Sequence, residues 1–203
     1  MMKNKGFTLL ESIMSVAIMV AIVFAATLLA KDVLSTNQSA VQSLSAQSDT
    51  RRAIKSWIAE LRTATPSATG AYTIESASTS SLVFFADLDS DNRSERIRYF
   101  ISTSTRSFNR GVVSPTGSPP SYVLSGESVI TMVSDMVQGT STPVFEYFDT
   151  NYAGTSSPMT YPLDVSMIRL IRVNISVDKD PNRSPDPLTV SSEVTLRNLK
   201  DNL

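Results

Sequence analysis

The sequence predicts an α+β fold in which one long N-terminal helix precedes an antiparallel β-rich head. Three observations carry that prediction. No Pro or Gly interrupts the chain between Gly6 and Pro66, so nothing local stops a helix over residues 7–65. The stretch 12–30 contains no Asp, Glu, Lys or Arg and is about the length a helix needs to cross a bilayer. Beyond Gly70 the apolar residues alternate, which is the pattern of half-buried strands.

A helix over residues 7–65 would be roughly 90 Å long at about 1.5 Å per residue. Its first part, 7–30, is apolar all round. Its second part, 31–65, turns amphipathic: Val41, Leu44, Ile54, Ile58 and Leu61, with Trp57 beside them, form a stripe expected to pack on the head. Gln42, Asp49, Arg52, Lys55 and Glu60 are expected on the opposite face. Ser35-Thr36-Asn37-Gln38-Ser39 is a weak helix segment, the place in the helix where local unwinding costs least. Pro66 and Gly70 end the helix, and residues 66–203 form the head.

In the head, residues 72–74 give a short strand and 82–86 a strong one. Residues 95–101 alternate, with Ile97, Tyr99 and Ile101 against Arg96, Arg98 and Phe100, and the polar stretch 87–94 closes a hairpin between them. Residues 107–112 suggest another strand. After the breaker-rich loop 114–121, residues 128–137 are ambiguous between helix and strand, with Val129, Ile130 and Val133 favouring strand. Residues 143–148 read as a strand and 149–162 as a long loop. Residues 168–177 alternate Ile171, Val173, Ile175 and Val177 with Arg172, Asn174 and Ser176, and pair with 189–196 across a Pro- and Asp-rich turn.

Composition narrows the function classes. The 203 residues leave one ordinary domain behind the apolar span. Net charge is −1, and loss of Lys3 and Lys5 takes it to −3, so a strongly basic nucleic-acid binder is excluded. There is no Cys, so the head relies on its core or its assembly rather than on disulfides. There is no His, the commonest general base and metal ligand. No Gly-rich phosphate loop and no placed nucleophile appear, and an enzyme is not expected.

The most informative stretch is Lys5-Gly6-Phe7-Thr8-Leu9-Leu10-Glu11-Ser12, abutting the apolar run. A carboxylate costs about 2.5–3.5 kcal/mol at the centre of a membrane span on insertion scales, so one placed close to the apolar core is expected to have a partner. The octet resembles the processing site of type IV pilins and pseudopilins: a short basic leader ending in Gly, then Phe, Thr, Leu, a hydrophobic residue and Glu. The resemblance covers about the first thirty residues. It implies a leader at residues 1–6, cleavage by a prepilin peptidase between Gly6 and Phe7, and N-methylation of Phe7. It further implies that Glu11 pairs with the Phe7 ammonium of a neighbouring subunit during assembly. Two groups that each cost energy alone in apolar surroundings cost less together. The implied partners are other pilin or pseudopilin subunits, the peptidase, an inner-membrane assembly platform, and membrane lipid before assembly. The implied location is a single-pass cytoplasmic-membrane protein with its N-terminus in the cytoplasm and its head outside, later part of a pilus or pseudopilus. The resemblance also implies a pilin-like fold, with the amphipathic half of the helix packed on the sheet.

The hairpin over residues 81–99 and the C-terminal stretch 194–199 resemble segments of minor pseudopilins of type II secretion, especially the larger J-type subunit. Glu11 separates the chain from tip subunits that lack this carboxylate. Two other readings stand beside a minor pilin or pseudopilin. One is a membrane-tethered extracytoplasmic binding module that does not polymerise. The other is a DNA-uptake pilin, for which Arg96, Arg98, Arg106 and Arg110 would supply a basic strip. An ordinary signal peptide cut near Ala25-Ala26-Thr27 would leave Glu11 unexplained.

No cofactor is expected, and calcium is the one candidate ligand. Asp87, Asp89 and Asp91 stand at alternate positions with Glu95 four further on, which partly matches a calcium loop. The sixth position is Asn92 where such a loop has Gly, and the twelfth is Arg98 where it has Glu, so a solvated Asp-rich turn accounts for the same residues. Asp178, Asp180 and Asp186 form a second acidic cluster.

Overall fold

The computed structural model describes residues 8–137, 143–179 and 187–196. A single helix, α1, runs over Leu9–Arg62. Ser35 and Thr36 do not break it: each donates its hydroxyl to the Asp32 carbonyl at 2.9 Å, so the side chains bond back onto the helix rather than compete with it. The helix stops three residues short of the expected Thr65. Thr63 and Ala64 donate to the carbonyls of Glu60 and Leu61 in a tightened last turn. The chain then turns extended: Ala64 bridges Ala86, and Thr65 N–H donates to Phe85 O at 2.9 Å. Pro66 favours that extended conformation in the residue before it.

The chain divides into two compact units, Met1–Gln42 and Ser43–Leu203. In the first, the described residues are helix with large apolar side chains open to their surroundings, among them Leu9, Ile13, Met14, Ile18, Ile22, Phe24 and Leu29.

The second unit contains the end of α1 and two antiparallel sheets. The first is a five-stranded meander in sequential order: β1 (Ile74–Ala77), β2 (Ser81–Ala86), β3 (Glu95–Ser102), β4 (Ser107–Val113) and β5 (Ser128–Val133). The second is β6 (Phe145–Phe148), β7 (Leu170–Val177) and β8 (Leu188–Thr195), with β7 in the middle. The ambiguous stretch after residue 128 is thus a strand that ends at Val133. Two residues on, Asp135 takes the left-handed conformation at φ 59°, which no regular strand holds. The chain then crosses to the other sheet: Met136 bridges Val177, and Val137 N–H donates to Ser176 O at 2.9 Å. That break divides the expected single sheet in two. β1 begins two residues later than read. Its Ser76 and Ala77 have little strand preference of their own, and pairing with Val83 and Leu82 holds them extended.

Both sheets and the helix feed one core. Trp57 of α1, Phe84, Tyr99 and Phe108 of the first sheet, and Phe145 of the second are all fully buried. Their rings follow one another at centroid distances of 5.6–6.3 Å, within the range where aromatic pairs attract beyond their buried area. The alternations of β3 and β7 fall as read, with Ile97, Tyr99, Ile171, Val173, Ile175 and Val177 inside.

The helix stripe needs correction. Its covered positions are Thr50, Ala53, Ile54, Trp57 and Leu61, with Ala46 and Ile58 partly covered, so Ile54, Trp57, Ile58 and Leu61 fall as read. Val41 and Leu44 are 61 % and 66 % exposed. Nine residues before Thr50, at about 100° each, place Val41 roughly half a turn from the stripe. Summed steps of three and four drift in phase over that distance. Glu60, expected on the open face, is instead turned in against the sheet.

Candidate functional site

The helix begins with a reciprocal cap. Thr8 Oγ1 accepts the Glu11 N–H at 3.3 Å, and Glu11 Oε2 accepts the Thr8 N–H at 3.5 Å. This is a capping box, in which a Thr and the Glu three residues on satisfy each other's orphan amides. The carboxylate also complements the positive end of the helix. Ser12 and Ser15 hydroxyls bond back to the carbonyls of Thr8 and Glu11 at 3.3 and 2.8 Å. Glu11 is exposed, and so are the apolar residues that follow. Gly6 and Phe7, the other two residues of the expected processing and assembly site, lie outside the described residues. The cap supplies an intrachain reason for Glu11 that the sequence reading passed over, although Thr8-Leu9-Leu10-Glu11 carries its signature openly. Among the described residues, one helix is long and apolar enough to cross a membrane, and it is α1.

The acidic loop between β2 and β3 is the second candidate. It brings Asp87, Asp89 and Glu95 together, with carboxylate oxygens within 4.8 Å of one another. Asp91 is not in that group. Most of the carboxylates build the turn. Asp87 accepts the amides of Ser90 at 2.7 Å and Asn92 at 3.0 Å. Asp89 and Asp91 each accept the amide two residues on. Glu95 Oε2 accepts the Leu88 amide at 2.9 Å. Ser90 and Asn92 sit at φ 64° and 65°, so Asn92 takes the left-handed position that a calcium loop gives to Gly. The carboxylates are hard oxygen donors that would fit calcium in kind. Three of them fall short of the six to eight oxygens that ion takes, and their lone pairs already hold the backbone. Of the second acidic cluster, Asp180 and Asp186 lie outside the described residues.

The four arginines of the suggested basic strip are all engaged within the head. Arg96 reaches Glu75 at 2.5 Å, and Arg98 pairs with Glu127. Arg106 donates to the carbonyls of Met136 and Asp178 at 3.2 and 2.8 Å. Arg110 forks onto Glu60, with Nε to Oε2 and a terminal nitrogen to Oε1 each at 2.9 Å. Tyr99 donates its hydroxyl to the same Glu60 Oε2 at 2.9 Å, and burial beside that carboxylate pushes the phenol far above its ordinary value. The strip therefore offers no set of uncommitted cations for a phosphate backbone.

On the far sheet, Arg172 lies over the Phe148 and Tyr152 rings, at 4.7 and 5.9 Å from their centroids, and pairs with both Glu146 and Glu193. It too is saturated. Compared with protein-family models, curated proteins and solved structures, the chain matches none.

Proposed function

We infer that the chain is a minor pilin or pseudopilin, a structural subunit of a type IV filament such as a type IV pilus or a type II secretion pseudopilus. The observation that carries this reading is the octet Lys5–Ser12 in register with an unbroken helix of 54 residues. The octet puts a cleavage site, a cap and a carboxylate at the head of a membrane-length apolar segment. The same helix then contributes Trp57 and Leu61 to the core of a β-rich head. The helix anchors the precursor in the membrane with the head outside. Prepilin peptidase removes residues 1–6, and the Phe7 amine and Glu11 of neighbouring subunits pair as the helix moves from lipid into the filament. The J-type character rests on the hairpin over residues 81–99.

A membrane-tethered binding module that does not polymerise is favoured by one observation, the capping box. It explains Glu11 without a second subunit.

Two substitutions separate the readings. Thr8→Ala removes the cap and leaves the carboxylate. Glu11→Gln keeps a capping side chain and removes the charge, since Gln serves at this position of a capping box as Glu does. A filament subunit tolerates Thr8→Ala and loses recovery in sheared filaments by at least about tenfold on Glu11→Gln, the scale of about 1.4 kcal/mol per decade. A tethered module shows no filament fraction for any variant, and its membrane level falls, if at all, with Thr8→Ala.

A further inference from the structure

The five-stranded sheet ends on two edges, β1 and β5, and they are built differently. β1 has four residues, carries Glu75, and slips register against β2 between Ile74 and Ser76. Shortness, charge and a bulge are the devices that blunt an edge against unwanted pairing. β5 has none of the three over most of its length. Its six residues, Ser128-Val129-Ile130-Thr131-Met132-Val133, include no charge, no Pro and no Gly, and four of them are β-branched. Its one bulge, with Met132 the extra residue between the partners of Phe108 and Asn109, lies at its C-terminal end and leaves residues 128–131 in regular register with β4. Residues 128–131 are exposed, with Val129 and Ile130 each at 48 %. One side of β5 is bonded to β4. Among the described residues nothing pairs with the other side.

A free strand edge specifies its occupant closely. Alternate residues direct N–H and C=O outward in the plane of the sheet, and only another extended chain satisfies that row. Charge then selects among extended chains. When a strand pairs with its own copy, any charge it carries is brought near the same charge on the partner. β1 with Glu75 and β8 with Glu193 would each face that repulsion. β5 would not, because it is neutral along its whole length.

We propose that β5 is a strand-addition surface whose occupant is β5 of a second copy, paired antiparallel about a two-fold axis perpendicular to the sheet. Such a contact is isologous and closes at two copies. It is therefore separate from any head-to-tail polymerisation and does not depend on the filament reading. It is also short for a standard protein interface, so covalent trapping is the suitable readout.

The chain has no Cys, so single cysteines report cleanly. Cysteines are placed one at a time at positions 128–132 of the full chain in membranes and oxidised mildly. The expected result is a disulfide-linked species of twice the chain mass that peaks at one position, the residue facing itself across the axis, and falls at its neighbours. Adding Val129→Lys to the peak variant, or Thr131→Lys if position 129 is the peak, abolishes the dimer while the folded head is retained, since both side chains are exposed. Equal cross-linking at all five positions means random collision and overturns the proposal. No cross-linking overturns it, and so does a product of another mass, which would assign the edge to a different protein.

Discussion

Single residues in this head owe their behaviour to where the chain turns them. Glu95 opens β3 at 4 % exposure. Burial pushes its carboxyl above the ordinary value of 4.5, Asp89 and Asp91 add to the push, and the Leu88 amide works against it. The folded state thus holds that proton more tightly than the unfolded chain. The resulting stabilisation is complete below 4.5 and is lost as pH rises through the folded value. Glu127 has the opposite sign. Its hydrogen bond from Arg98 holds the carboxyl below the ordinary value of 4.5, so that contribution is present above 4.5 and is lost as pH falls through the folded value. Glu95→Gln keeps an acceptor for the Leu88 amide and cannot ionise. It is expected to raise the melting temperature at about pH 7 and leave it unchanged at about pH 4, whereas Glu127→Gln lowers it at about pH 7. Thermal unfolding at the two pH values checks both signs. At this scale the sequence was legible where periodicity spoke, as at Ile97 and Tyr99. It was not legible for Glu60, whose burial depends on Tyr99 and Arg110, partners distant in sequence, while Glu95 shares the inward parity of Ile97 and Tyr99.

At the scale of elements, the joint between α1 and the first sheet turns on one polar contact. Glu60 projects from the helix between Tyr99 of β3 and the Arg110 fork of β4, and its side chain and that of Arg110 are only 14 % and 17 % exposed. Removing one partner leaves a charge uncompensated. Arg110→Met is therefore expected to destabilise the head by about 3 kcal/mol, and Glu60→Met by a similar amount. The double variant, which leaves no charge behind, is expected to cost less than either single change. Urea unfolding followed by Trp57 fluorescence measures all three, because Trp57 is the only tryptophan and is fully buried. Element identities were largely readable: the helix from its lack of breakers, β3 and β7 from their alternation, the hairpin from its Asp-rich turn. The helix end and the start of β1 were not, because Thr65 N–H donates to the Phe85 carbonyl and the Thr73 carbonyl accepts the Phe85 N–H, pairings no local window contains.

At the scale of the whole molecule, the α+β class followed from the sequence because an uninterrupted apolar helix and an alternating C-terminal region are global patterns. The division into two sheets did not, since no local pattern announces the left-handed conformation of Asp135, where the chain leaves β5 and crosses to Val177. The candidate site was half legible. Glu11 stands out as a charge in an apolar setting, and the spacing Thr8-Leu9-Leu10-Glu11 spells its cap, but the leader and span beside it draw the reading to a partner in another subunit. The central claim is that residues 1–6 are a leader and that Phe7 begins the working subunit. Mass spectrometry of the N-terminal peptide, from protein extracted from cell envelopes, tests it most directly. The account predicts a peptide that starts at N-methylated Phe7. An intact Met1, or a terminus created after Ala25 or Ala26, would contradict it and leave the tethered or secreted module as the reading of this chain.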